Sequence, residues 1–274
     1  MENLLVVKLG GGVGLDMPRA CRNLAEIARE RPLIVVHGVS ARMNQLCEDL
    51  NVPVRTLSSP TGHSSRYTDE RTRDIFVTAA RSVNDDICEW LSSYGANPIS
   101  VADEVVISGT RKKAIRAVVD GRVRIVRDDY SGSISGVDGD VLRDLLAQGR
   151  IPVVPPMAFS DSGYLNIDGD RASAAIAAEL QADTLLILSN VDGLYRDFEA
   201  DDAPISTIYP HQLEQAMDWA QGRMKRKVLG AQEALNGGVG QVIIGDGRIS
   251  DAVSEALNGA GTHFLSTQQI SEAQ

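Results

Sequence analysis

Apolar residues along this chain fall into two alternating patterns: short unbroken runs, and longer stretches with three-to-four spacing. The runs at 4–8, 32–37, 99–101, 151–154, 184–189 and 241–245 are almost wholly apolar. They predict strands buried on both faces. Between them, residues 18–31, 41–50, 69–92, 141–148, 170–180, 212–219 and 223–236 carry helical patterns. In the first, Ala20, Leu24, Ile27 and Ala28 share one side; in the third, Ile75, Ala79, Val83, Ile87 and Leu91 do. Strands alternating with helices predict an α/β fold with a mostly parallel sheet covered on both faces. Ligands of such a sheet gather beyond the carboxyl ends of its strands. The residues after Lys8, His37-Gly38 and Ser189-Asn190 hold those positions.

Residues 105–135 break the alternation. Val105–Ser108 and Ala117–Val126 predict antiparallel strands, with Asp120-Gly121 as a tight turn, so a β-hairpin insert is expected here. Between Ser108 and Arg127 lie seven of the chain's 27 basic residues and one of its 37 acidic ones. Arg111, Lys112, Lys113, Arg116, Arg122, Arg124 and Arg127 thus make a basic patch on an acidic protein. Such a patch suits an anionic substrate or partner, or else keeps a solvated sheet edge from aggregating.

The net charge of −10 argues against nucleic-acid binding. No apolar run approaches the roughly 20 residues of a membrane helix, and the chain opens on a strand without a basic-then-apolar leader. A cytoplasmic location is therefore expected. Cys21, Cys47 and Cys88 lack metal-ligand spacing, and their odd count argues against a disulfide framework; packing positions on helices account for them.

The chemistry centres on two lysines far apart in sequence. Lys8 ends an apolar strand and opens Leu9-Gly10-Gly11-Gly12-Val13-Gly14; Lys227 lies in Gln221-Gly222-Arg223-Met224-Lys225-Arg226-Lys227. A strand running into a glycine-rich turn exposes backbone N–H groups that suit phosphate. The turn matches neither Gly-x-Gly-x-x-Gly nor Gly-x-x-x-x-Gly-Lys-Ser/Thr, because the lysine precedes its glycines. Between the lysines, Asn166-Ile167-Asp168-Gly169-Asp170 offers carboxylates that can hold two ammonium groups. Two lysines beside a phosphate cradle predict phosphoryl transfer.

With Ser65-Arg66-Tyr67-Thr68-Asp69 and Leu188-Ser189-Asn190-Val191-Asp192-Gly193-Leu194, these blocks occur in the order of the amino acid kinase family, and the whole chain resembles its acetylglutamate kinase branch. It is most similar to the [LysW]-aminoadipate kinases, which phosphorylate a substrate attached to an acidic amino-group carrier protein. The resemblance implies a single domain, 1–274, built as a three-layer sandwich. Its substrate half would span about 1–180 and its nucleotide half about 181–274. It also implies ATP, Mg²⁺ and a homodimer, with the apolar helix at 69–92 lying against its twin.

The resemblance further implies roles for particular residues. Lys8 and Lys227 would stabilise the transferring phosphoryl group, and Asp170 would orient both, the bland alternative for Asp170 being a helix N-cap. Arg66 would grip the substrate's α-carboxylate and Asn166 its other polar groups. Gly11, Gly38, Val39 and Ser40 would line the substrate loop. Gly10, Asn190, Val191, Asp192, Gly193, Leu194, Tyr195 and Met224 would line the nucleotide site, the segment 190–195 mainly through its backbone. Arg111, Lys112, Lys113, Arg116, Arg122 and Arg124 would meet the carrier. No metal ligands are expected.

One departure is His37-Gly38-Val39-Ser40, where the family has glycine at the second loop position. Valine resists positive φ, so either that position never needs it or the loop has shifted; its side chain would also narrow the pocket. Aminoadipate and glutamate differ by one methylene, worth about 1–3 kcal/mol in a pocket, so carrier-linked aminoadipate, carrier-linked glutamate and N-acetylglutamate stay open as substrates. A uridylate kinase would want a phosphate site, unlike Arg66-Tyr67-Thr68-Asp69. A non-catalytic nucleotide sensor would have lost one of Lys8, Asp170 and Lys227.

Overall fold

Five consecutive buried residues form the strand on which the molecule is organised, β1 (Leu5–Leu9). The computed structural model describes residues 2–60, 64–119, 121–267 and 269, with the backbone alone at 119. After β1 come α1 (Met17–Ile27), β2 (Leu33–His37) and α2 (Ser40–Asp49). Two short strands, β3 (Thr56–Ser58) and β4 (Ser64–Arg66), lead into the long helix α3 (Glu70–Ser93). Next are β5 (Pro98–Ser100), β6 (Ile107–Arg111), β7 (Ile115–Val119), β8 (Arg122–Val126) and β9 (Gly132–Val137). Then follow α4 (Gly139–Ala147), β10 (Ile151–Val154), β11 (Met157–Ser160), β12 (Gly163–Asn166), α5 (Gly169–Glu179) and β13 (Thr184–Ser189). The chain closes with β14 (Thr207–Ile208), α6 (Leu213–Trp219), α7 (Met224–Asn236), β15 (Gln241–Asp246), α8 (Ala252–Leu257) and β16 (Thr262–Leu265).

Eight strands make the central sheet, in the order β14-β16-β15-β13-β1-β2-β10-β5, and every neighbouring pair is parallel except β15–β16. Strand alternation sends Leu4, Val6, Val36 and Ile187 to a core shared with Leu142 of α4, Ala174 of α5 and Val228 of α7. Val7, Leu9, Val35 and Leu186 face a second core with Leu24 of α1, Met43 of α2, Ile87 of α3 and Val253 of α8. The result is the expected α/β sandwich of three layers. Because β1 pairs with β13, the sheet runs unbroken from the first half of the chain into the last. No helix among the described residues is long and apolar enough to cross a membrane.

Helix α3 starts at Asp69, whose carboxylate accepts from Thr72 N at 2.8 Å. Ile75, Ala79, Val83, Ile87 and Leu91 are all buried in the chain's own second core. That apolar row is thus consumed within the chain. Truncating Ile87 or Leu91 to alanine would cost about 2–5 kcal/mol.

The 105–135 region departs from the expected single hairpin. β7 and β8 do pair antiparallel, with Gly121 at φ 71 beside Asp120, which lies outside the described residues. They extend a small sheet ordered β4-β3-β7-β8. β6 is not their partner: it pairs antiparallel with β9 and parallel with β11 in a second small sheet, β12-β11-β6-β9. Glycines explain why that sheet is hard to see in the sequence. They are poor strand formers, yet a Cβ on Gly109 would meet Ala158 Cβ at 2.7 Å, and one on Gly132 would meet Leu165 Cδ1 at 2.6 Å.

Candidate active site

Lys8 shares a face of β1 with Val6 and is the last residue of that face before the carboxyl end of the sheet. Its register partners are Ile187 of β13 and Val36 of β2. Asp168 caps α5, its carboxylate accepting from Asp170 N at 3.0 Å and Arg171 N at 3.1 Å. The cap is therefore Asp168, and Asp170 is free to point at the lysines. Helix α7 packs closely on α5, since a Cβ on Gly230 would lie only 3.3 Å from the Asp170 carbonyl oxygen. That approach brings Lys227, one turn earlier, within reach. Lys8 Nζ lies 2.7 Å from Asp170 Oδ1 and Lys227 Nζ lies 3.2 Å from Oδ2. All three residues are buried.

Burial alone would raise the Asp170 carboxyl, but the two ammonium charges and their hydrogen bonds outweigh it and hold the group well below the usual carboxylate range. Lys227 is pulled below the ordinary lysine value, first by burial and then by the charge of Lys8, against the attraction of Asp170. Two cations share one anion, so the buried cluster keeps one excess positive charge. A buried excess charge is costly unless an anion joins it.

The loops after β1 and β2 meet beside this cluster. Gly10 N donates to Leu188 O at 3.0 Å, Gly38 N to Leu9 O at 2.9 Å and Ala41 N to Gly11 O at 2.6 Å. A Cβ on Gly169 would lie 3.4 Å from Lys8 Cε and 3.5 Å from the His37 carbonyl oxygen, which places the second loop against the cluster. Val39 settles the departure noted above: it caps α2 at φ −127 and needs no positive φ. Its side chain packs in the second core and does not narrow the pocket. Ser40 is exposed at the start of α2. Below the loop, His37 is fully buried on the far face of the sheet. Its Nε2 lies 3.2 Å from Asn84 Nδ2, which also donates to Val153 O at 2.9 Å. Burial first, and then the Lys8 charge, lowers the His37 imidazole to about 4, despite a hydrogen bond to Gly38.

Arg66 and Asn166 are brought together through Thr68. Asn166 Nδ2 donates to Thr68 Oγ1 at 3.0 Å, and that hydroxyl donates to Arg66 O at 3.2 Å. Arg66 Nη2 donates to Asn44 Oδ1 of α2, while Nη1 is buried with no partner among the described residues. A half-anchored guanidinium with an unpaired N–H suits a carboxylate. Asn44 and Asn84 were not singled out in the sequence. A mid-helix asparagine carries no local signal; only the contacts reveal it.

The segment after β13 lies beside the glycine-rich loop. Ser189 Oγ is buried without a partner among the described residues. Asn190 is exposed and Val191, Asp192 and Tyr195 are half-buried. Tyr195 donates to Asp192 Oδ2 at 2.9 Å. Gly193, at φ 156, fits where a Cβ would meet Thr262 Oγ1 at 2.6 Å. Leu194 has little to offer a ligand: its side chain is in the core, its N–H donates to Thr262 Oγ1 at 2.8 Å and its carbonyl accepts from Ile205. Met224 is half-buried against the first core, one turn before Lys227.

Among the hairpin cations, Lys112, Lys113, Arg116, Arg122 and Arg124 are exposed and make no ion pair with a described residue. They flank exposed Val118, Val123 and Ile125. The register puts Arg116, Val118, Val123 and Ile125 on one face of the β7–β8 ribbon. Arg111 is different and turns inward.

A model of the amino acid kinase family matches residues 3–246. A [LysW]-aminoadipate kinase from Deinococcus radiodurans is 41% identical over 266 residues, covering 95% of this chain and 91% of the relative. One from Thermus thermophilus is 37% identical, covering 94% and 99%. A [LysW]-aminoadipate/[LysW]-glutamate kinase from Metallosphaera sedula is 32% identical, covering 95% and 100%. Among solved structures, the N-acetylglutamate synthase from Neisseria gonorrhoeae, complexed with coenzyme A and N-acetyl-glutamate, superposes with a TM-score of 0.78 at 24% identity. That match covers 96% of this chain and 59% of the synthase. Carbamate kinase from Giardia lamblia bound to AMP-PNP gives a TM-score of 0.67 at 15% identity, covering 96% and 98%. At these identities the two structures speak for the fold alone.

Proposed function

This chain belongs to the amino acid kinase family, and from that premise we propose that it transfers the γ-phosphoryl group of ATP to the side-chain carboxylate of aminoadipate held on an acidic, LysW-type carrier protein. The product is an acyl phosphate, and the step serves lysine biosynthesis. The observation that carries the reading is Asp170 bridging Lys8 and Lys227 in a buried cluster with one excess positive charge.

A substrate carboxylate is already a nucleophile and needs no general base, so the protein's tasks are alignment and charge neutralisation. Lys8 and Lys227 neutralise the phosphoryl oxygens as the bond to ADP breaks, while Asp170 fixes both ammonium groups. The loops after β1 and β2 bring the backbone N–H groups of Gly11, Val39 and Ser40 to the same place, those of Gly10 and Gly38 being spent on Leu188 O and Leu9 O. Arg66, through Nη1, and Asn166 hold the amino-acid head of the substrate. Asn190–Gly193, Tyr195 and Met224 line the nucleotide site. Among the described residues no group of three or more His, Cys, Asp or Glu is placed to hold a metal ion. Magnesium would enter on the phosphates of ATP and neutralise charge there. Lys112, Lys113, Arg116, Arg122 and Arg124 attract the acidic carrier, and the exposed Val118, Val123 and Ile125 give it an apolar footing.

Carrier-linked glutamate is a second substrate to consider, since one methylene separates it from aminoadipate and the 32% identical relative is named for both. The homodimer that the resemblance implies and the expected cytoplasmic location belong to the same proposal. A twin lying against α3 would meet faces of the helix other than its buried apolar row. Hydroxylamine trapping tests the reaction class. ATP-dependent formation of a hydroxamate is expected; its absence, with ATP bound, would leave a nucleotide sensor or a kinase for another acceptor.

A further inference from the structure

Arg111 ends β6, and its guanidinium is committed to the protein. Nε donates to the Asp129 carbonyl at 2.9 Å and Nη2 to the Arg127 carbonyl at 3.2 Å. Its Cζ lies over the Tyr130 ring, 3.8 Å from the centroid, and the Cζ of Arg73 of α3 lies over the same ring at 4.5 Å. Tyr130 is thereby held between β6 and α3. Only a planar guanidinium can stack by its face and donate along its edge at once. The charge of Arg73 is balanced by Glu70 at 3.6 Å and Asp74 at 2.8 Å, so the two guanidiniums near one ring do not drive the arrangement apart.

What Tyr130 carries is the link between the two proposed substrate residues. Its N–H donates to Thr68 O at 2.6 Å, and its carbonyl accepts from Asn166 N at 2.9 Å. The neighbouring Asp129 is 1% exposed, and its carboxylate accepts from Thr68 N at 2.9 Å and Ser131 N at 2.7 Å. Residues 129–131 therefore form a strap, bonded on one side to the segment that begins at Arg66 and on the other to Asn166. A shift of the strap changes the spacing between the groups that hold the substrate's head.

We infer that Arg111 is a positioning residue for the carboxylate substrate: it locks Tyr130, and through the 129–131 strap it sets Arg66 against Asn166. It does not act as a docking charge for the carrier. The inference rests on the substrate roles proposed above for Arg66 and Asn166, but its geometric half can be read without them.

Arg111→Lys separates the two roles, because it keeps the charge and loses the fork and the flat face. The KM for carrier-linked substrate should rise by about tenfold or more at low and high salt alike, with the KM for ATP unchanged. Amide exchange at Thr68, Ser131 and Asn166 should quicken by about tenfold or more while the central sheet keeps its protection. Tyr130→Leu should do the same, whereas Tyr130→Phe, which keeps the ring, should restore both readouts. Wild-type KM and exchange in Arg111→Lys would overturn the inference. So would a KM defect appearing only in Arg111→Ala and fading as salt rises. If Arg111→Lys does not fold, Tyr130→Leu matching Tyr130→Phe in exchange overturns it equally. If the wild-type protein phosphorylates no carrier-linked carboxylate, the proposed function fails, and the exchange data still decide whether Arg111 locks the strap.

Discussion

A Cβ placed on Gly38 would lie 2.5 Å from the amide nitrogen of Gly11, so the loops that follow β1 and β2 touch backbone to backbone. Both loops must donate N–H groups to one small volume, and only glycines allow that approach. Gly38→Ala should therefore lower kcat by about a hundredfold or more, since misplacement of about 1 Å is enough for that. Gly12, where a Cβ would meet nothing within 4 Å, is the control. Gly12→Ala should leave the melting temperature unchanged, and Gly38→Ala should lower it.

Removing either buried ammonium takes a charge from the transition state. Lys8→Ala and Lys227→Ala should each lower kcat by at least about two orders of magnitude, with ATP and carboxylate both saturating. Near-normal turnover in either variant would remove that lysine from the mechanism. Asp170→Asn should also be nearly inactive, because it leaves two like charges buried without their anion, and it should be the least stable of the three.

The periodic elements were legible because burial on one face or both leaves its mark on composition. The five apolar positions of α3 and the run at β13 stand as expected. β6 and β9 were obscured by the glycines that let them pack against Ala158 and Leu165. At the site, Lys8, Asp170 and Lys227 were readable from their blocks and are in contact. The capping role of Asp168 was not, because Asp168 and Asp170 both suit a helix start. Arg111 looked like one more hairpin cation, since nothing in a basic run says which guanidinium turns inward. Asn44 and Asn84 act only through contacts across the fold.

His37 should dominate one window of acid lability. Its folded value, lowered to about 4 by burial, lies below the unfolded value of 6.5, so the unfolded chain binds a proton first as pH falls. Stability is complete above pH 6.5 and falls towards pH 4, by about 3 kcal/mol at about 1.4 kcal/mol per pH unit. Asp170, held low, contributes stability above its unfolded value of about 3.9 that is lost at still lower pH. Denaturant titrations of His37→Gln should lack the wild-type slope between about pH 6.5 and about pH 4. An unchanged slope would show that His37 is not the group.

Lys227, lowered by burial and by Lys8, should regain its proton affinity when polyphosphate arrives. Above its free-enzyme value, binding of ATP is then coupled to proton uptake and weakens as pH rises. The KM for ATP should begin to climb at a pH below the ordinary lysine value of about 10.4. Lys227→Arg, which cannot titrate there, should be slower overall and lack the climb.

If the acceptor is a carboxylate on a carrier protein, one comparison of substrates will show it. Values of kcat/KM are measured for carrier-linked aminoadipate, carrier-linked glutamate and free N-acetylglutamate, at low and high salt. They are repeated with Lys112, Lys113, Arg116, Arg122 and Arg124 neutralised together. Carrier-linked aminoadipate should be the preferred substrate. Neutralisation should raise its KM at low salt, with an effect that shrinks as ionic strength brings the screening length to about 8 Å, and kcat should barely move. Efficient use of free N-acetylglutamate, indifferent to the five substitutions, would rule out a carrier-borne acceptor.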